Sequence, residues 1–173
     1  ATTADNNTGV GYFALVSNTT GFQNTALGKT ALQANTTASY NTACGSSALY
    51  SNTTGAENTA VGRTALYANN ASNNTAVGRD ALVSLTTAGG CTAVGHKAAR
   101  VNTYSGTTAV GNNALAANTT GENNTAVGSG SLGSNTTGSE NTAVGSGALA
   151  ANTTASYNTA VGHEALTTNT TGT

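Results

Sequence analysis

A glycine returns through this chain on a fixed schedule, at Gly11, Gly28, Gly45, Gly62, Gly78, Gly95, Gly111, Gly128, Gly145 and Gly162. The interval is 17 residues, shortened to 16 after Gly62 and after Gly95. Five of these glycines close Asn-Thr-Ala-Val-Gly and the other five close variants of it, and the full unit is well represented by residues 141–157. A fixed period of this length restricts the chain to a stacked repeat architecture, one copy per structural unit.

Aligned copies form columns, and the columns suggest how a unit is built. Before each marker glycine stand Val10, Leu27, Cys44, Val61, Val77, Val94, Val110, Val127, Val144 and Val161. Two residues earlier comes a Thr column running from Thr25 to Thr159. In a strand these two columns share one face, and the Asn and Ala columns share the other. Asn-Thr-Ala-Val therefore reads as a short strand. Four residues after each glycine lies a second aliphatic column, with Leu in every copy but Ala99, and the Ala-Leu pair marks a second strand or an inward bend. Asn-Thr-Thr-Gly or Asn-Thr-Thr-Ala follows, a cluster of turn formers that closes the coil. Both 16-residue copies lose their residue after the Leu position, in this loop rather than in the strand.

A helical reading fails because β-branched residues and Gly dominate, and no apolar pair recurs at three-to-four spacing. The expected fold is all-β: a single-domain parallel β-solenoid, or β-roll, over residues 1–173, with about ten rungs of 16–17 residues. Rungs about 4.8 Å apart make a rod on the order of 50 Å, along which the Asn column of Asn-Thr-Ala-Val can form an amide ladder. Val and Leu are the expected core, as at Val144 and Leu149. Two aliphatic side chains per rung bring roughly 1.5–3 kcal/mol each against ~1–2 kcal/mol of ordering entropy for every residue. That makes a lone rod marginal. The column Ala26, Ala43, Ala60, Ala76, Ala93, Ala109, Ala126, Ala143 and Ala160 is then expected to be a smooth outer stripe for self-association. The chain opens at Ala1-Thr2-Thr3-Ala4 and closes at Asn169-Thr170-Thr171-Gly172-Thr173, in the same part of the unit, so a segment of a longer fibre is expected.

Composition excludes several function classes. Charged residues are 6% of the chain and the net charge is −1, so five Lys and Arg make no basic stripe for nucleic acid or anionic lipid. No apolar run reaches the length of a membrane span. No paired carboxylates, Ser-His-Asp set or phosphate loop appears, and neither enzymatic activity nor a cofactor is expected. Val-Gly-x-x-Ala resembles one turn of a hexapeptide acyltransferase coil, but that fold needs the pattern three times per coil. Scarcity of Asp excludes calcium-binding glycine-rich nonapeptides.

The Asn-Thr-Ala-Val-Gly step resembles the Ser-Val-Ala-Ile-Gly rung of the YadA-like head repeats in trimeric autotransporter adhesins. It is more similar still to the Asn-Thr-Ala-Val-Gly repeats of bacterial surface and phage tail-fibre proteins. The resemblance covers essentially the whole chain. It implies a left-handed β-roll, three chains side by side, serving as a rigid extracellular head or stalk that contacts host proteins or glycans. The unit here is longer than the adhesin rung by an Asn-Thr-Thr-Gly loop, and Thr replaces its first aliphatic residue. The expected function is a structural and adhesive rod of an extracellular fibre on a cell surface, filament or virion. Its expected partners are further copies, as a homotrimer or a head-to-tail filament, and a host-surface protein or glycan. Two alternatives stand beside it: an ice-binding β-solenoid, and a glycan-coated filament subunit without a receptor site. Against ice binding, the Thr column shares its face with Val, and the loop Thr pair is adjacent rather than alternating.

Individual residues offer little chemistry. Asn18, Asn35, Asn52, Asn118, Asn135, Asn152 and Asn169 begin Asn-Thr-Thr sequons in a single column, with further sequons at Asn6, Asn70, Asn73 and Asn123. Either an Asn- and Thr-rich turn makes sequons incidentally, or an outer row of glycans solubilises a weakly charged filament. Cys44 and Cys91 lie three rungs apart, ~14 Å, beyond the ~7 Å Cα limit for a disulfide. Cys44 is expected as a buried small hydrophobe, and Cys91 replaces a column Asn. His96 and His163 read as solvated loop residues too far apart to share a metal. Arg63 and Arg79 lie on adjacent rungs beside Asp80, a candidate contact for a small anion. Tyr50 and Tyr67 should stack one rung apart, as packing beneath a loop or as a sugar-binding face.

Overall fold

A computed structural model describes residues 4–172. Ala1, Thr2 and Thr3, which carry most of the mid-repeat opening, and the final Thr173 lie outside the described residues. The ten copies form ten three-residue strands: β1 Thr8–Val10, β2 Thr25–Leu27, β3 Thr42–Cys44, β4 Thr59–Val61, β5 Thr75–Val77, β6 Thr92–Val94, β7 Thr108–Val110, β8 Thr125–Val127, β9 Thr142–Val144 and β10 Thr159–Val161. They pair in chain order into one parallel sheet. Register places like on like, with Thr125, Ala126 and Val127 opposite Thr142, Ala143 and Val144. The fold is an all-β parallel solenoid, and the described residues contain no helix.

Rung-to-rung bonding continues outside the strands. Leu32 N donates to Ala48 O at 3.0 Å, Ser47 N to Lys29 O at 2.8 Å, and Thr136 N to Thr153 O at 2.8 Å. Most of a coil's backbone thus finds its partners in the coils above and below, as narrow repeat stacks require. The Ala-Leu pair is a tight inward bend rather than a second strand. Its Leu adopts a left-handed backbone, φ 49° at Leu32 and 51° at Leu149. That conformation costs a non-glycine residue roughly 1–2 kcal/mol, and full burial of the Leu side chain returns roughly 1.5–3 kcal/mol.

The interior corrects the expected face assignment. The Ala column lies inside: Ala26, Ala43, Ala60, Ala76, Ala93, Ala109, Ala126 and Ala143 are fully buried, and Ala160 nearly so. Ala26 through Ala160 are therefore core, not an outer self-association stripe. Leu149 is core as expected, but Val144 points outward and is 37% exposed. Period-two alternation says which columns share a face, not which face turns inward. A coil of 17 residues has a narrow lumen, and Ala, Leu and the paired Asn amides fill it. The β-branched Thr and Val stand on the outer pleat, where such side chains fit.

Two buried Asn systems complete the core. In the strand-side column each side-chain oxygen accepts the backbone N–H of the same column one rung on, as from Asn41 N to Asn24 Oδ1 at 3.0 Å and from Asn141 N to Asn124 Oδ1 at 2.9 Å. The amide ladder proper runs instead through the Asn-Thr-Thr column, where Asn135 Nδ2 donates to Asn118 Oδ1 at 2.8 Å and Asn152 Nδ2 to Asn135 Oδ1 at 2.9 Å. Each such amide also closes its own turn, as Asn135 Nδ2 does onto Gly138 O at 2.8 Å. In the short copies the closure moves one residue earlier, from Asn69 to Ala71 O at 2.8 Å and from Asn102 to Tyr104 O at 2.6 Å. Asn69 then makes no bond to the rung below, and Asn52 Oδ1 is left buried without a partner.

Candidate functional site

The principal exposed feature is the outer face of the sheet. Thr and Val rows run its length with no charged residue in either. Val10 is 55% exposed and Val161 71%, at opposite ends of the stack. Leu27, Val61, Val94, Val127 and Val144 are also exposed, while Val77 and Val110 are half-buried. In-register pairing fixes these side chains at one strand spacing, about 4.8 Å. The result is a rigid, uncharged lattice of hydroxyls and methyls. Sequence reasoning missed this surface because it assigned Val to the core.

The sequon column is not an outer edge. Asn35, Asn52, Asn118, Asn135 and Asn152 are fully buried, and their amides are occupied by the ladder and the turns. Only Asn18 and Asn169, in the terminal coils, are half-buried, while Asn6, Asn70, Asn73 and Asn123 are exposed. A glycosyltransferase needs a free amide nitrogen, which the folded interior denies. Intact-mass and peptide mapping of protein secreted from a glycosylating host should find Asn35, Asn52, Asn118, Asn135 and Asn152 unmodified. A glycan on any of these five in the folded protein would overturn the burial.

One corner gathers ionic groups. Arg79 Nε lies 3.3 Å from Asp80 Oδ2, and Arg63 approaches Asp80 Oδ1 at 4.0 Å from the adjacent rung. The Thr64 hydroxyl donates to Asp80 Oδ1 at 2.5 Å. That bond is the largest cause holding the Asp80 carboxyl below its usual range; burial opposes it, and the charges of Arg79, Arg63 and His96 add to the lowering. Arg79 also lies 2.7 Å from His96 Nε2. Asp80 thus neutralises part of the cationic edge, through Arg79 more closely than through Arg63.

Tyr50 and Tyr67 stack with ring centroids 5.0 Å apart and planes 4° from parallel, and both are half-buried. Both cysteines are free; Cys91 is buried, but Cys44 is only half-buried, because its column faces outward. Burial pushes the Cys91 thiol up. Among the described residues no three His, Cys, Asp or Glu side chains gather into a group that could hold a metal ion. Compared with family models, with curated proteins and with solved structures, the chain matches none of them.

Proposed function

We propose that this chain is a stiff structural and adhesive rod of an extracellular fibre, acting through stacking and lateral association rather than catalysis. The observation that carries the reading is the uncharged outer face of the sheet, where Val10, Leu27, Val61, Val94, Val127, Val144 and Val161 are exposed beside a half-buried to exposed Thr row. A contiguous apolar stripe of this kind on a soluble protein marks a contact surface. Its fixed strand spacing suits a partner with the same spacing, which a second copy of the chain has. Self-association is thus assigned to the Thr and Val rows, in place of the Ala column. The resemblance of Asn-Thr-Ala-Val-Gly to fibre repeats agrees with this and makes a trimer the assembly to look for.

Sedimentation equilibrium tests the reading. The parent chain should sediment as a multiple of its own mass, and Val94→Lys with Val127→Lys, on the outer face, should shift it to monomer. A parent that stays monomeric across the accessible concentration range removes lateral association. Electron microscopy then separates discrete bundles from end-to-end filaments.

The same face favours a second reading. Outward Thr and Val side chains held at one strand spacing by in-register pairing can order water, the arrangement needed to bind ice. The objection that Thr shares its face with Val lapses once that face is seen to be exposed. A monomer that shows thermal hysteresis supports this second reading over the first. An oligomer without hysteresis supports the first.

A further inference from the structure

The turn of the second short copy breaks a rule that every other described turn obeys. The residue whose carbonyl closes the Asn turn is small throughout: Gly21, Ala38, Gly55, Ala71, Gly121, Gly138, Ala155 and Gly172 accept from an Asn three residues back, or two in the short copy at Asn69. In the second short copy this residue is Tyr104, which accepts from Asn102 and is 43% exposed. The other short copy closes the same two-residue turn with Ala71-Ser72 where this one has Tyr104-Ser105. A small-residue turn therefore folds without the ring, and closing the coil does not require Tyr104.

Tyr104 lines a cleft of about 450 Å³ together with Thr86, Thr87, Ala88, Thr103 and Ser105. Its backbone is fixed from below, because the Tyr104 carbonyl accepts from Asn102 Nδ2 at 2.6 Å and from the Cys91 thiol at 3.3 Å. In the core behind this loop the repeat departs from its own pattern: Leu85 and Cys91 stand where other rungs carry the two Asn, and both are buried. An exposed aromatic side chain on an anchored backbone and four hydroxyl-bearing residues come together at this level of the stack. No lining residue is charged.

We infer that this cleft is a binding site for a neutral pyranose ring of a glycan. A pyranose presents a C–H face that packs on an aromatic ring and an edge of hydroxyls that exchange hydrogen bonds with Thr and Ser. Tyr104 supplies the packing face, and Thr86, Thr87 and Ser105 supply the partners at the edge, while the Thr103 hydroxyl, which donates to Thr119 O at 2.8 Å, can only accept there. An acidic sugar finds no counter-charge among these residues. The inference rests on the adhesive half of the proposed function and gives it a place on the rod.

Saturation-transfer difference NMR on the assembled protein tests it, with methyl β-glucopyranoside, methyl β-galactopyranoside and N-acetylglucosamine as separate probes. At least one probe should show saturable transfer to its ring C–H protons. Tyr104→Ala, which installs the residue that the other short copy already carries, should abolish the transfer, and Tyr104→Phe should retain it. Thr86→Val leaves the ring in place and should weaken binding severalfold. No saturable transfer to any probe, or transfer undiminished in Tyr104→Ala, overturns the site. Sedimentation of the same samples reads the rod separately. Absent transfer in an assembled parent refutes the sugar site alone, and transfer without assembly refutes the rod alone.

Discussion

Gly45→Ala should destabilise the rod by about 4 kcal/mol, the sum of backbone strain of roughly 1–3 kcal/mol and steric overlap of similar size. Gly45 has φ 142°, a backbone that L side chains rarely adopt. A Cβ at this position would lie 2.5 Å from Gly62 O and 3.2 Å from Arg63 N, both backbone atoms of the next rung. Neither can move without breaking Gly62 N to Cys44 O, a 2.7 Å bond that joins the same two rungs. Because each rung contacts only its neighbours, the damage stays at this interface. Guanidinium unfolding followed by circular dichroism should show a lower midpoint and a broadened transition as the two halves uncouple. Gly130→Ala is the control. Gly130 has φ 66°, and a Cβ there would meet nothing within 4 Å; its column holds Thr30, Ser47, Thr64 and Asp80 at similar φ. That change should cost roughly 1–2 kcal/mol, the strain of the left-handed backbone alone. Equal losses at the two sites would mean that the close approach of rungs at Gly45 is not what holds them in register.

Much of this fold was legible because the repeat states it ten times. The period located every strand, the Thr, Ala and Val columns set the register, and the placement of the missing residues marked the turn. Inside and outside were not legible from alternation. Ala143 and Val144 differ by one position, and which of them faces the lumen depends on how much volume a 17-residue coil encloses. Val is the more hydrophobic and reads as core, but a narrow lumen prefers Ala. The same inversion turns the sequon asparagines inward and the Thr and Val rows outward. Asn135 shows why turn composition misleads: an Asn before Thr-Thr reads as a surface turn, yet its amide closes that turn from within. Tyr104 did carry a signal, a large residue in a column of Gly and Ala, but the one-residue deletion hid the column until the hydrogen bonds of Asn102 aligned it.

Asn135→Leu should cost about 3 kcal/mol, and a second substitution should recover part of the loss. Asn135 is fully buried. Removing its amide leaves Asn118 Oδ1 without its donor, and one Asn152 Nδ2 bond unmade. Unpaired buried groups cost about 1–3 kcal/mol each, and the added apolar burial of Leu offsets roughly 1.5–3 kcal/mol. Misfit between the branched Leu and the ladder site adds a further ~1–3 kcal/mol. The protein already contains the compensated form. Leu85 occupies this column, and six residues on Cys91 replaces the strand-side Asn, so both polar groups are exchanged together and both side chains are buried. Asn135 and Asn141 have the same six-residue spacing in a full-length rung. Asn135→Leu with Asn141→Cys should therefore be more stable than the sum of the two single changes by at least about 1 kcal/mol, a coupling typical of side chains sharing one buried site. Thermal and guanidinium unfolding of the four proteins in the cycle measure it. Strict additivity would show that the amide ladder and the strand-side column act independently, and that Leu85 and Cys91 are neighbours without being partners.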